Sequence, residues 1–201
     1  PGLRGVGKTT LLFQLYRYLK DFKKIDQDRI LYFSADELKA YLGKKVLNVI
    51  DTFIQEIHKT TPTYLDKELF IFVDESHFDD SWSETGKILF DKSKKIFMIF
   101  TGSSALSLEL SVDAARRAIK QTIFPMNFSE YVLFRYEIFP PKSMAESVRD
   151  VIFMGDQEPL IKMAIDKESE LMKKLLEVGK PIEKEFEDFL CYRGFPFTMN
   201  M

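Results

Sequence analysis

Three short runs of uninterrupted apolar residues punctuate the first half of the chain: ILYFS at 30–34, LFIFV at 69–73 and KIFMIFT at 95–101. Runs of this length without polar alternation predict strands buried on both faces. Around them the apolar residues fall at helical spacing instead. Leu11, Leu12, Leu15, Tyr18 and Leu19 share one side of a helix over 9–20. Val46, Ile50, Phe53, Ile54 and Ile57 share one side of a helix over 45–59. Shorter helices are predicted around 81–91 and over 104–110. Residues 117–124 are less apolar and predict a fourth strand, nearer a sheet edge. Buried strands alternating with helices predict a parallel sheet between two helix layers, an α/β/α sandwich with right-handed crossovers.

Beyond Phe124 the pattern changes. Asn127-Phe128-Ser129-Glu130 has the form of a capping box, in which the first side chain accepts from an early helix N–H and Glu130 reaches back. It predicts a helix to about Arg135. Pro140-Pro141 marks a boundary, because neither residue donates to a ladder and each restricts the residue before it. Helices follow over about 143–154, 158–178 and 181–192, with Gly179 as a stop and Pro181 as a start. The expected division is an α/β core over 1–140 and a helical region over 141–201.

Charge narrows the function classes. Lys and Arg together number 29 against 31 Asp and Glu, a net charge of −2, and the basic pairs are scattered among acids. No basic face for nucleic acid is predicted. The lone cysteine, Cys191, excludes an internal disulfide and fits a reducing compartment, so the cytoplasm is the expected location. No apolar run approaches the length that spans a bilayer, and no membrane partner is expected.

The chemistry is concentrated at the start. Gly2-Leu3-Arg4-Gly5-Val6-Gly7-Lys8-Thr9 fits G-x-x-x-x-G-K-[ST] completely, directly ahead of an amphipathic helix. Glycines let such a loop curl so that its N–H groups face phosphate oxygens, and the helix start adds a positive dipole end. Gly2, Arg4, Gly5, Val6, Gly7, Lys8, Thr9 and Thr10 are therefore the expected nucleotide contacts. Lys8 supplies charge to the β- and γ-phosphates, and the Thr9 hydroxyl coordinates Mg²⁺. LFIFV ends in Asp74-Glu75. Behind a P-loop, Asp74 is expected near the Mg²⁺ shell and Glu75 is expected to polarise the attacking water as general base. Thr101 closes the third run and either orients that water, senses the γ-phosphate or simply makes a turn with Gly102. His77 finds a local hydrogen bond, positions Glu75 or sits by the nucleotide, and His58 is read as a surface residue. Two histidines and one cysteine do not make a metal site of their own, so Mg²⁺ is expected to arrive with the nucleotide.

GLRGVGKTTLL, LFIFVDE, IFTGSS, and ELSVDAARRA leading to FPMNFSEY resemble, in order and spacing, the archaeal and bacterial AAA+ ATPases of the STAND-related group. The resemblance covers about Gly2 to Phe134. YRGFPF at 192–197 looks like the Gly-Phe-Pro element in the helical lid of that group. The resemblance implies ATP as the nucleotide, a lid-like role for 141–201, and an arginine a fixed distance before Pro125. That arginine matches Arg117, as a phosphate sensor or as a finger reaching the nucleotide of a neighbour in a homo-oligomer. Where the family has Gly before it, this chain has Arg116, so both arginines are candidates. The function expected is Mg²⁺-dependent ATP hydrolysis. A slow nucleotide-gated switch, or the ATPase module of a nucleic-acid-processing protein whose contacts lie outside this chain, stays open beside it. Only Pro1 precedes Gly2, so the chain is expected to lack its first strand and to hold the loop at 2–7 weakly.

Overall fold

β2, Leu69–Asp74, is the centre of a three-stranded parallel sheet ordered β1-β2-β3, with β1 at Ile30–Ser34 and β3 at Ile96–Phe100. The computed structural model describes residues 2–103, 116–138, 144–192 and 194–196. The chain divides into two compact units, Pro1–Phe124 and Pro125–Met201.

In the first unit, strand alternation sorts every side chain to one of two helix layers. Leu69, Ile71 and Val73 of β2 face α2 (Ala35–Leu42), α3 (Val46–His58) and α4 (Trp82–Lys92), where Leu38, Val46, Ile50, Ile54 and Leu89 complete the core. Phe70 and Phe72 face the other way, toward Leu12, Leu15, Tyr16 and Leu19 of α1 (Lys8–Arg17) and the turn that follows it. The α/β/α sandwich is present as three parallel strands with flanking helices.

The register places Tyr32 opposite Phe72 and Ser34 opposite Asp74. The residues that end β1 and β2, and the one that follows β3, thus share one rim of the sheet.

The sequence expectations need four corrections. The fourth strand does not form over 117–124: only Ile123 pairs, in an isolated parallel bridge to Gly2. Ile119 is 97% exposed, so the segment buries no face that would hold it in a sheet. Of the three predicted strands only β2 is buried along nearly its whole length, since β1 and β3 flank it and Phe97 of β3 is half exposed. Leu11, Tyr18 and Ile57 are exposed, because the packed stripes are 12-15-16-19 on the α1 side and 46-50-54 on α3. Finally, α2 follows β1 directly. Asp36 and Glu37 stand in its first turn, where the helix dipole favours acids. The expected helix over 104–110 and the Pro140-Pro141 boundary lie outside the described residues.

The second unit is helical: α5 at Phe128–Tyr136, α6 at Met144–Met154, α7 at Glu158–Val178 and α8 at Ile182–Tyr192. The capping box closes α5 reciprocally, with Glu130 N–H donating to Asn127 Oδ1 and Asn127 N–H to Glu130 Oε2, both at 2.9 Å. Tyr131, Val132, Ile138, Leu171 and Phe189 form its core.

A buried carboxylate is threaded through that core. Glu185 accepts from the Tyr131 hydroxyl and pairs with Lys180, whose ammonium also lies 2.6 Å from Asp188. Burial alone would raise the Glu185 pKa. Bonds from Lys180 and Tyr131 outweigh it and hold the carboxyl below its ordinary 4.5. Burial likewise works against the Lys180 charge, but Asp188 and Glu185 raise it above the ordinary 10.5.

The linkage has a definite sign. The Glu185 contribution is complete above its unfolded pKa and is lost as pH falls through the lowered value. The Lys180 contribution is complete below its unfolded pKa and is lost as pH rises through the raised value. Glu185→Gln should cost about 3 kcal/mol near neutral pH, because it leaves a buried pair without one partner. It should also flatten the acid limb of stability against pH. Urea unfolding of both proteins between acid and neutral pH checks this, and parallel pH profiles would refute it.

Candidate functional site

Loop 2–7 and the start of α1 lie on the rim where the strands end. Gly7 caps α1 with φ 95°, a left-handed conformation that strains any side-chain-bearing residue. A Cβ on Gly2 would run into the Ile123 carbonyl, so the close approach of these two segments requires glycine. Val6 is buried beneath the loop, whereas Arg4, Gly5 and Thr10 are exposed along it and on the first helical turn. No side chain caps the α1 N-terminus, which leaves its first N–H groups for a ligand.

Lys8 is buried at 5% exposure. Its ammonium donates to the carbonyls of Gly2 at 2.9 Å and Leu3 at 2.8 Å. Among the described residues it forms no ion pair. A buried ammonium held by two carbonyl dipoles leaves positive charge uncompensated, and an arriving anion would compensate it.

Thr9, Asp74 and Thr101 converge. The alternation that sends Phe72 toward α1 carries Asp74 the same way, two residues on. There Asp74 Oδ2 accepts from the Thr9 hydroxyl at 2.5 Å, and Oδ1 accepts from the Thr101 hydroxyl. Thr101 is kept in line by its N–H donating to the Val73 carbonyl at 2.9 Å. Hydrogen bonds to a carboxylate are each worth roughly 1.5–3 kcal/mol, enough to fix the rotamers of both hydroxyls. Thr9 and Asp74 thus offer hard oxygen donors side by side, the donor class that suits Mg²⁺. Among the described residues no group of three His, Cys, Asp or Glu side chains could hold a metal alone.

Glu75 leaves the strand in a left-handed turn, φ 46° and ψ 38°, with its N–H donating to Asp74 Oδ1 at 3.0 Å. Its Oε2 lies 3.2 Å from His77 Nδ1. Arg117 lies elsewhere. Its Nε–H donates to Asp91 Oδ1 at 2.8 Å, in the last turn of α4, which leads into the start of β3 rather than to its end. Arg116 is exposed.

Two participants were not anticipated. Ser76 is fully buried, and both its N–H and its hydroxyl donate to the Thr101 carbonyl at 2.8 Å, tying the loop after Asp74 to the end of β3. Tyr32 shares the α1 side of the sheet with Asp74. Its phenol is pushed up to about 12, first by burial and then by the carboxylates of Asp74, Glu37 and Asp36, with a hydrogen bond to Asp74. Strand parity is the signal that could have found Tyr32. Ser76 leaves none, because its role depends on where two strands end in space.

A family model described as "AAA domain" matches residues 1–132. Two curated proteins of Methanocaldococcus jannaschii are similar along nearly the whole chain. "Uncharacterized protein MJ1637" is 34% identical over 98% of the chain, and "Uncharacterized protein MJ1544" is 28% identical over 96% of it. The chain spans 40% of the length of each of these relatives. Among the described residues no helix is long and apolar enough to cross a membrane.

Proposed function

The chain belongs to the AAA domain family, and on that premise we propose that it binds ATP and hydrolyses it to ADP and phosphate with Mg²⁺. The observation that carries this reading is the bond from Thr9 to Asp74, which joins the start of α1, one residue after the buried Lys8, to the end of β2. Lys8, with the N–H groups of residues 5–10, holds the phosphates. Thr9 and Asp74 would hold Mg²⁺, which would supply charge neutralisation for the phosphates. Glu75 takes a proton from the attacking water as the water oxygen bonds to the γ-phosphorus and the bridging oxygen leaves with ADP, while Thr101 orients that water. Arg117, paired with Asp91 away from this rim, serves the nucleotide of a neighbouring copy rather than its own.

The finer placement follows the same reading: a STAND-related ATPase of the cytoplasm, a homo-oligomer, and an α/β core followed by a lid-like helical region that takes in 141–201. Nucleic acid, if it is a partner of the full protein, is contacted outside this chain.

One observation favours a second reading, a nucleotide-gated switch with slow turnover. The Lys8 ammonium is engaged by carbonyls of its own loop. It has to release them to reach a phosphate, so binding and loop rearrangement are coupled.

Steady-state phosphate release with ATP separates the readings. Turnover should require Mg²⁺ and fall to background with excess EDTA. A rate on the order of 10⁻³ s⁻¹ identifies the switch, by comparison with unassisted P-loop turnover. No ATP binding in the presence of Mg²⁺ would remove both.

A further inference from the structure

His77 lies in the short turn Ser76–Phe78 that follows Glu75, and the geometry around it is unusual in three ways. Glu75 occupies left-handed backbone space, which few residues with a side chain adopt. That turn directs its carboxylate toward His77 instead of onward along the strand. Next, Glu75 Oε2 and His77 Nδ1 are both buried, and neither has a hydrogen-bond partner. Buried polar side-chain atoms without partners are rare in folded proteins and call for an explanation. Lastly, these two atoms lie 3.2 Å apart. A small rotation of either side chain turns the contact into a hydrogen bond and satisfies both.

We propose that His77 is the positioning residue for Glu75, holding one carboxylate oxygen so that the other is presented to the attacking water. The inference rests on the reading of Glu75 as general base. The imidazole is suited to the task because it is itself fixed. It packs on the Phe78 ring with centroids 4.5 Å apart, and its side chain keeps only 16% exposure. The turn that carries it is anchored at Ser76, whose two bonds to the Thr101 carbonyl tie it to the end of β3. The Glu75 side chain keeps 25% exposure. One face is therefore held against the ring while the carboxylate stays within reach of a water at the rim. A glutamate has three side-chain torsions, and pinning one oxygen removes most of the freedom of the other. Catalytic groups lose rate steeply when they are displaced by about an ångström.

The test uses two substitutions. His77→Phe keeps a planar ring against Phe78 and removes the nitrogen. His77→Asn places an amide where Nδ1 stood and restores a partner for Oε2. In the full chain, His77→Phe should lower kcat for ATP on the order of tenfold to a hundredfold, with KM and the melting temperature unchanged. His77→Asn should recover most of the loss. Turnover by His77→Phe at the wild-type rate overturns the proposal. So does an equal loss in both variants, or a loss that follows KM or the melting temperature, since either marks a packing role. Glu75→Gln is measured alongside. If it turns over as fast as wild type, the general-base reading has failed and takes this inference with it. If it loses turnover while His77→Phe does not, only the positioning role fails.

Discussion

Lys8→Ala should abolish ATP binding, with an affinity loss of at least about a hundredfold, or close to 3 kcal/mol. Among the described residues, Lys8 brings the only full positive charge buried at the loop, and its ammonium is already dehydrated and held in place by the Gly2 and Leu3 carbonyls. Phosphate oxygens would replace those carbonyls, exchanging two neutral acceptors for charged ones. Charge-assisted bonds are worth roughly 1.5–3 kcal/mol each, so losing two accounts for the expected factor. The alanine variant also loses the brace across residues 2 and 3. Far-UV circular dichroism and the melting temperature therefore have to be read beside the binding isotherm. Titration with a fluorescent ATP analogue gives the affinity directly. Equal affinity in wild type and Lys8→Ala would remove the phosphate cradle from this loop.

The site was legible in the sequence wherever its residues are neighbours along the chain or end a strand. The loop at 2–9 carries its chemistry in its spacing. Asp74 was singled out because a polar residue that ends a buried apolar run stands at the rim of a parallel sheet. Thr101 was singled out by the same logic in the next run. That these residues meet follows from parallel strands ending on one rim, and the register of β1, β2 and β3 makes the meeting specific.

What the sequence hid depends on three-dimensional placement. Ser76 matters because the Thr101 carbonyl comes to it from 25 residues away. Tyr32 matters because its strand runs beside β2 on the α1 side. Arg117 was assigned by its distance from Pro125, a measure along the chain that says nothing of the side chain. The side chain donates to Asp91. The missing fourth strand has the same origin. Moderate apolarity over 117–124 predicts a strand only if a neighbour pairs with it, and Gly2 offers a single bridge.

Glu75→Gln should leave ATP affinity within about twofold of wild type and lower the rate of hydrolysis by roughly 10²–10⁴, the range for loss of a general base. The two effects separate because Glu75 acts on water, not on phosphate. The substitution keeps the length and shape of the side chain, and its amide can still meet His77 Nδ1 at the observed 3.2 Å. The left-handed turn is set by the Glu75 N–H bond to Asp74 and by Ser76, neither of which involves the substituted group. The ground-state complex is therefore preserved, and what disappears is an acceptor for the proton as the water attacks. Asp74→Asn makes the contrasting case. It weakens the acceptor of both the Thr9 and the Thr101 hydroxyls, so it should weaken Mg²⁺-dependent ATP binding as well as turnover. Single-turnover hydrolysis at saturating ATP, paired with equilibrium binding, resolves the difference. If Glu75→Gln hydrolyses at the wild-type rate, the base lies elsewhere, and the carboxylate held beside His77 has a structural task only.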